Sequence, residues 1–147
     1  MRAPAELVDV FRSQGLKVTP QRQLLFRLLH ENDRHPTAES LHVQASSLMP
    51  GISLRTVYQT LTDLASMGEL RQVSFGHGPS HFDPNVAEHH HAVCDGCGAI
   101  TDVYVDGAQH LTVDGLDGFR PDSTSIVFHG TCTSCGAAAT SPTEGTS

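Results

Sequence analysis

Two CxxC pairs, Cys94-Asp95-Gly96-Cys97 and Cys132-Thr133-Ser134-Cys135, constrain this chain more than any other feature. Each pair turns two thiols toward one point, and two pairs complete a tetrahedral shell of four sulfurs. Thiolate softness suits zinc, and a shell filled by protein sulfur leaves no open position for catalysis. Gly96 and Gly98 let the first pair turn tightly. The 34 residues between the pairs exceed the usual zinc-ribbon spacing. Two disulfides or a redox pair are the alternatives, but a redox CxxC normally stands alone at a helix start. Structural zinc on Cys94, Cys97, Cys132 and Cys135 is the expectation.

Charge divides the chain as well. Residues 1–75 carry eight Lys/Arg against seven Asp/Glu, whereas residues 76–147 carry Arg120 alone against nine Asp/Glu, within a net charge of -7. All four cysteines and seven of the ten histidines fall in the second part. An acidic half cannot lie on a phosphate backbone unaided, so any nucleic-acid contact falls to the first half. With 38% hydrophobic and 17% charged residues, the chain reads as globular and not disordered. No run of 18 apolar residues is present, so no membrane partner is expected. The first 15 residues hold Glu6 and Asp9 and no long apolar run, so a secretory signal is not expected. The expected location is cytoplasmic, with the cysteines bound to metal and not to one another.

Four helical patterns precede residue 70. Leu7, Val10 and Phe11 recur at helical spacing within residues 5–13, and Gly15 stops the run. Thr19-Pro20 reads as a cap followed by proline at the first helical position, with Leu24, Leu25, Leu28 and Leu29 as the stripe behind it. Thr37 caps a third segment whose Ala38, Leu41, Ala45 and Leu48 face one way. Ser53 caps a fourth, in which Val57, Leu61, Leu64 and Ala65 form the buried stripe. Arg55, Tyr58, Gln59, Thr62 and Ser66 lie opposite it, and Met67-Gly68 ends the helix. Glu69–Phe75 and Pro79–Phe82 then read as two short strands around Gly76-His77-Gly78. This order describes a winged helix-turn-helix. The polar face of the fourth helix reads either as a solvated surface or as contact with base edges and phosphates in a major groove.

His89-His90-His91 lies just upstream of the first CxxC. In an extended segment His89 and His91 share one face, while His90 and Cys94 share the other. Together with His35, Asp83 and Asp102 these offer imidazoles and carboxylates suited to a divalent metal. Spacing alone does not bring the five together. The plainer reading is an exposed histidine run and a turn aspartate. Leu111, Val113, Leu116 and Phe119 within Asp106–Asp122 suggest a short helix against a sheet.

These pieces together resemble the ferric uptake regulator (Fur) family. The matching segments are Leu16-Lys17-Val18-Thr19-Pro20-Gln21-Arg22, His35-Pro36-Thr37-Ala38-Glu39, Ile52-Ser53-Leu54-Arg55-Thr56-Val57-Tyr58, His89-His90-His91-Ala92-Val93-Cys94-Asp95-Gly96-Cys97-Gly98 and His129-Gly130-Thr131-Cys132-Thr133-Ser134-Cys135. They run in one order over about residues 5–136. The resemblance implies an α+β chain. A winged-helix DNA-binding domain would occupy 1–83 and a small α/β dimerisation domain 84–136, with a hinge at about 76–84 and a flexible tail at 137–147. It implies a homodimer that represses transcription at operator DNA, not an enzyme. It implies one structural Zn2+ per subunit on the four cysteines. It also implies a regulatory site of His35, Asp83, His89, His91 and Asp102 that takes Fe2+ or Mn2+, with Zn2+ able to enter in vitro. Lys17, Arg55, Thr56, Tyr58 and Gln59 would be the DNA contacts. A third metal site would use Glu88, His90 and His110, against the plainer reading of three exposed polar residues.

Aspartate at both Asp83 and Asp102 resembles the peroxide-sensing branch of the family, in which bound iron(II) reacts with peroxide and a ligand histidine, here His35 or His91, is oxidised. Iron sensors usually carry glutamate at the second position, so an iron-responsive repressor of iron uptake is the alternative. Zinc- or manganese-uptake regulation ranks lower; a zinc sensor of the family commonly has a cysteine near the hinge, and none is present here. An unregulated zinc-ribbon module and a zinc hydrolase rank lower still, the hydrolase because the chain has no HExxH. Gln59 stands where many members have arginine, so no operator sequence is carried over.

Overall fold

Side-chain caps set the helix starts. The computed structural model describes residues 1–32, 34–76 and 78–139, the side chains of Ala138 and Ala139 excepted. Helix α1 (Pro4–Ser13) begins where Glu6 accepts the Ala3 N–H at 3.0 Å. Helix α2 (Pro20–His30) begins at Thr19, whose hydroxyl accepts the Arg22 N–H. Helix α3 (Ala38–Leu48) opens with a reciprocal pair, Thr37 and Ser40 each accepting the other's N–H. Helix α4 (Leu54–Ser66) opens at Ser53, which accepts the Thr56 N–H at 3.1 Å. Each such cap satisfies a donor that the first turn leaves without a helical partner, worth about 1 kcal/mol. Gly68, at φ 75°, turns the chain out of α4.

The chain divides into two compact units, Met1–Ala87 and a second that begins at Glu88. The first holds α1 to α4 and a two-stranded antiparallel wing, β1 (Arg71–Val73) with β2 (His81–Asp83). Its core is one cluster running from Leu7 and Phe11 through Leu25, Phe26 and Leu29 to Val57, Leu61, Leu64 and Phe82. Phe11 and Phe26 meet edge-on at 4.8 Å. Helix α2 is the hub, burying Phe26 as well as the four expected leucines. Phe26 widens the buried face beyond the leucine stripe, while Pro20, Gln23, Arg27 and His30 form the exposed face. Leu48 is a correction: it is 63% exposed, and α3 turns Ala38, Leu41 and Ala45 inward without it.

The first wing strand is shorter than the sequence suggests, because Glu69 gives its N–H to the Leu64 carbonyl at 2.9 Å and so closes α4 before β1 begins. Strand β2 lies within the segment 76–84, and the first unit ends at Ala87. Phe82 donates its N–H to the Pro36 carbonyl at 2.8 Å, which ties β2 to the α2–α3 loop. His77 lies outside the described residues.

The second unit is a three-stranded sheet in the order β4-β3-β5. Strand β3 (His90–Cys94) pairs antiparallel with β4 (Ile100–Val103) and parallel with β5 (Val127–Gly130). Helix α5 (Thr133–Ala139) follows. Residues 137–139 therefore belong to that helix and not to a tail, and 140–147 lie outside the described residues. The helix expected within 106–122 does not form: one 3-10 turn, Ala108–His110, is the regular structure there. Leu111, Val113 and Phe119 are 47%, 52% and 65% exposed. Gly115 and Gly118 stand at positive φ among the four apolar residues, a backbone state a helix cannot use.

Candidate metal centres and nucleic-acid face

The four cysteines converge. One sulfur from each lies within 4.8 Å of the others. The Sγ atoms of Cys97 and Cys132 stand 3.7 Å apart. A disulfide requires about 2.0 Å. A tetrahedral zinc with sulfurs at about 2.3 Å separates them by roughly 3.8 Å, so the donor set fits that ion. The register explains the assembly. Parallel pairing sets Cys94 opposite Gly130, two residues before Cys132. The Gly98 N–H donates to the Cys94 carbonyl at 2.8 Å and closes the first knuckle, with Gly98 at φ 74°. Gly96 is required for another reason: a Cβ there would sit 3.0 Å from the Cys135 Sγ.

Main-chain amides are aimed at the sulfurs. The Cys132 N–H reaches Cys94 Sγ at 3.3 Å, and the Cys135 N–H reaches Cys132 Sγ at 3.4 Å. Hydrogen bonds to a thiolate favour its charged form. The Cys94 thiol is accordingly lowered to about 6, first by the Cys132 amide and then by those of Cys97 and Gly96. Cys135 is pushed up to about 12 by the sulfurs of Cys132, Cys94 and Cys97 around it. Sulfurs this close cannot all ionise until a cation shares their charge. Zinc held there would order the ends of β3 and β5 and the start of α5.

Histidine and aspartate donors are built separately in each unit. In the first, His35 Nε2 lies 3.1 Å from Asp83 Oδ2, and both side chains are 3% exposed. The other Asp83 oxygen accepts the Asn85 N–H at 2.9 Å, which fixes the carboxylate plane. In the second unit the register places His91 opposite Asp102, with side chains on one face. Asp102 Oδ1 lies 3.3 Å from His89 Nε2 and 3.8 Å from His91 Nε2. His89 and His91 meet edge-on at 4.7 Å. The alternation read from the sequence thus yields a three-donor cluster.

Glu88, His90 and His110 are not among the donor groups brought together within the described residues. Glu88 and His110 are exposed. His90 is buried, and its Nδ1 accepts the Ile126 N–H at 3.0 Å, so it anchors the approach to β5.

On α4, Arg55, Tyr58, Gln59, Thr62 and Ser66 are all exposed, and Thr56 is half-buried. Lys17, ahead of α2, is exposed too. Acids hold two of these side chains, Glu39 from α3 and Asp63 one turn further along α4. The Tyr58 hydroxyl donates to Glu39, and Gln59 donates to Asp63, which also pairs with Arg22 at 3.0 Å. The Tyr58 bond lowers the Glu39 carboxyl and raises the Tyr58 phenol.

Comparison with known proteins agrees with this architecture. The sequence profile of the ferric uptake regulator family matches residues 13–129. A peroxide-responsive repressor, PerR, of Staphylococcus epidermidis is 31% identical over 133 residues, covering 88% of each chain. The peroxide operon regulator of Bacillus subtilis is 28% identical over 137 residues, covering 88% of this chain and 91% of that one. The ferric uptake regulator of Helicobacter pylori, whose structure is described as having three functional metal binding sites, superposes with a TM-score of 0.74. That match covers 90% of both chains at 18% identity and establishes the fold.

Proposed function

This chain belongs to the ferric uptake regulator family, a family of metal-dependent transcription regulators and not of enzymes, and on that premise we propose that it is a cytoplasmic, peroxide-sensing repressor. In this reading it binds operator DNA as a homodimer when one divalent cation, Fe2+ or Mn2+, takes ligands from both units: His35 and Asp83 from the first, His89, His91 and Asp102 from the second. The supporting observation is that each unit presents a partial shell, a buried His35–Asp83 pair at 3.1 Å and an Asp102 within 3.3 Å of His89. Neither supplies the five or six donors that iron or manganese prefers. A cation that completes both shells favours the arrangement in which they meet, and by linkage DNA and metal each tighten the other. The four-sulfur centre holds Zn2+ as a structural ion.

Lys17, Arg55, Thr56, Tyr58 and Gln59 supply the DNA contacts, with α4 in the major groove. Exposed Tyr104, Phe119 and Phe128 in the second unit suit burial against a second copy. The peroxide reading is supported by the aspartates at 83 and 102 and by the names of the relatives above. Iron(II) held by His35, Asp83, His89, His91 and Asp102 would supply one electron to peroxide; His35 or His91 would take one peroxide oxygen on its ring and return an electron and a proton, the other oxygen leaving as water.

The test uses zinc-loaded protein and a randomised duplex pool. Wild-type protein with added Mn2+ is expected to enrich a two-fold-symmetric sequence and without Mn2+ to enrich none, whereas His89→Ala or Asp102→Ala enriches none in either case. Enrichment by wild-type protein without Mn2+ would refute metal control. Peroxide is expected to add one oxygen to His35 or His91 in the Fe2+ form and not in the Mn2+ form, read by peptide mass. An unmodified Fe2+ form would leave iron sensing as the function.

A further inference from the structure

His81 was assigned no role by its spacing, yet it holds the loop that carries His35. In strand β2, His81 and Asp83 are two residues apart, so their side chains leave one face. Both reach the same short segment. His81 Nδ1 lies 2.7 Å from the His35 carbonyl oxygen, and Asp83 Oδ2 lies 3.1 Å from the His35 ring. A carbonyl only accepts, so Nδ1 carries the proton and donates it. Between these contacts the Phe82 N–H bonds the Pro36 carbonyl, and His81 forms a β-bridge with Thr37. Strand β2 therefore grips residues 35–37 at successive points, and the His81 ring makes the grip on His35 itself.

We propose that His81 is a positioning residue for the regulatory metal: by fixing the His35 main chain it sets the imidazole against Asp83, and it makes that ligand pair one rigid piece with the wing. The inference rests on the reading of His35 and Asp83 as metal ligands. The rigidity has a consequence for regulation. Strand β2 is half of the hairpin that a winged helix lays beside DNA, so a cation pulling on His35 or Asp83 pulls on the wing as well.

The experiment titrates Mn2+ into zinc-loaded full-length protein and reads the free ion by electron paramagnetic resonance. His81→Leu removes the donor and is expected to weaken Mn2+ binding about tenfold or more, the scale found for groups that orient metal ligands. His81→Asn places an amide N–H where Nδ1 stood and is expected to bind close to the wild-type value. The edge-on contact of His81 with Phe75, at 5.7 Å, is lost in both variants, so a packing role would weaken both alike. In a His35→Ala background, His81→Leu is expected to add no further loss, because its whole effect passes through His35. Equal Mn2+ binding by wild type and His81→Leu would overturn the inference alone. So would a folded His81→Asn as weak as His81→Leu, or a penalty undiminished in the His35→Ala background. A wild-type protein that takes up no Mn2+ would overturn the inference together with the reading beneath it.

Discussion

The two units of this chain rest on different foundations. In the first, the buried side chains are mostly aliphatic and aromatic, in one cluster from Leu7 to Phe82. In the second, among the described residues, the buried side chains are Cys94, His89, His90 and His91. Burying a Val, Leu, Ile or Phe contributes about 1.5–3 kcal/mol, and the first unit buries fourteen of them among the described residues. The second has three short strands and nothing comparable. A structural zinc contributes roughly 10–16 kcal/mol of folding free energy in small domains, enough to stand in for a core. The comparison teaches that an apolar cluster holds the first unit, whereas the second is expected to depend on an ion at its four sulfurs.

Three substitutions would break or sharpen that contrast. The largest effect is expected from Cys132→Ser, which removes one sulfur and leaves three crowded thiols. The second unit should unfold and the protein lose its zinc, with the α1–α4 helical signal kept in circular dichroism. A folded zinc-free variant would show that the sheet stands without its metal. Next comes Phe26→Ala, expected to cost about 3–5 kcal/mol in the first unit by denaturant unfolding. Zinc content, measured by a colorimetric chelator, should stay at one per chain. Loss of zinc in that variant would mean that the units do not fold independently. The smallest is Gly96→Ala. Its Cβ would press on the Cys135 sulfur at 3.0 Å, a crowding worth about 1–3 kcal/mol, so zinc should bind roughly tenfold more weakly. Unchanged affinity would show that the knuckle yields.

Much of this was legible in the sequence, for reasons that differ between the units. Helix starts were legible because a cap is local: Thr19, Thr37 and Ser53 each sit three residues from the N–H they accept. The His89/His91 face was legible because strand alternation has a fixed period. Phe26 was not, since it widens the buried face of α2 beyond the leucine stripe, and neither was the exposure of Leu48 at the last turn of α3. The missing helix at 106–122 followed apolar spacing that Gly115 and Gly118 override. His81 was invisible because its partner, the His35 carbonyl, lies 46 residues away and carries no side-chain signature. Long-range main-chain contacts of this kind are set by the fold, and sequence periodicity cannot carry them.

The most direct measurement of the central claim is amide hydrogen exchange before and after zinc is withdrawn by a strong chelator. The account predicts that amides in β3, β4 and β5 then exchange at rates of unstructured chain, while those of α2 and α4 keep their protection. Protection of β3 and β5 that survives complete zinc removal would contradict it.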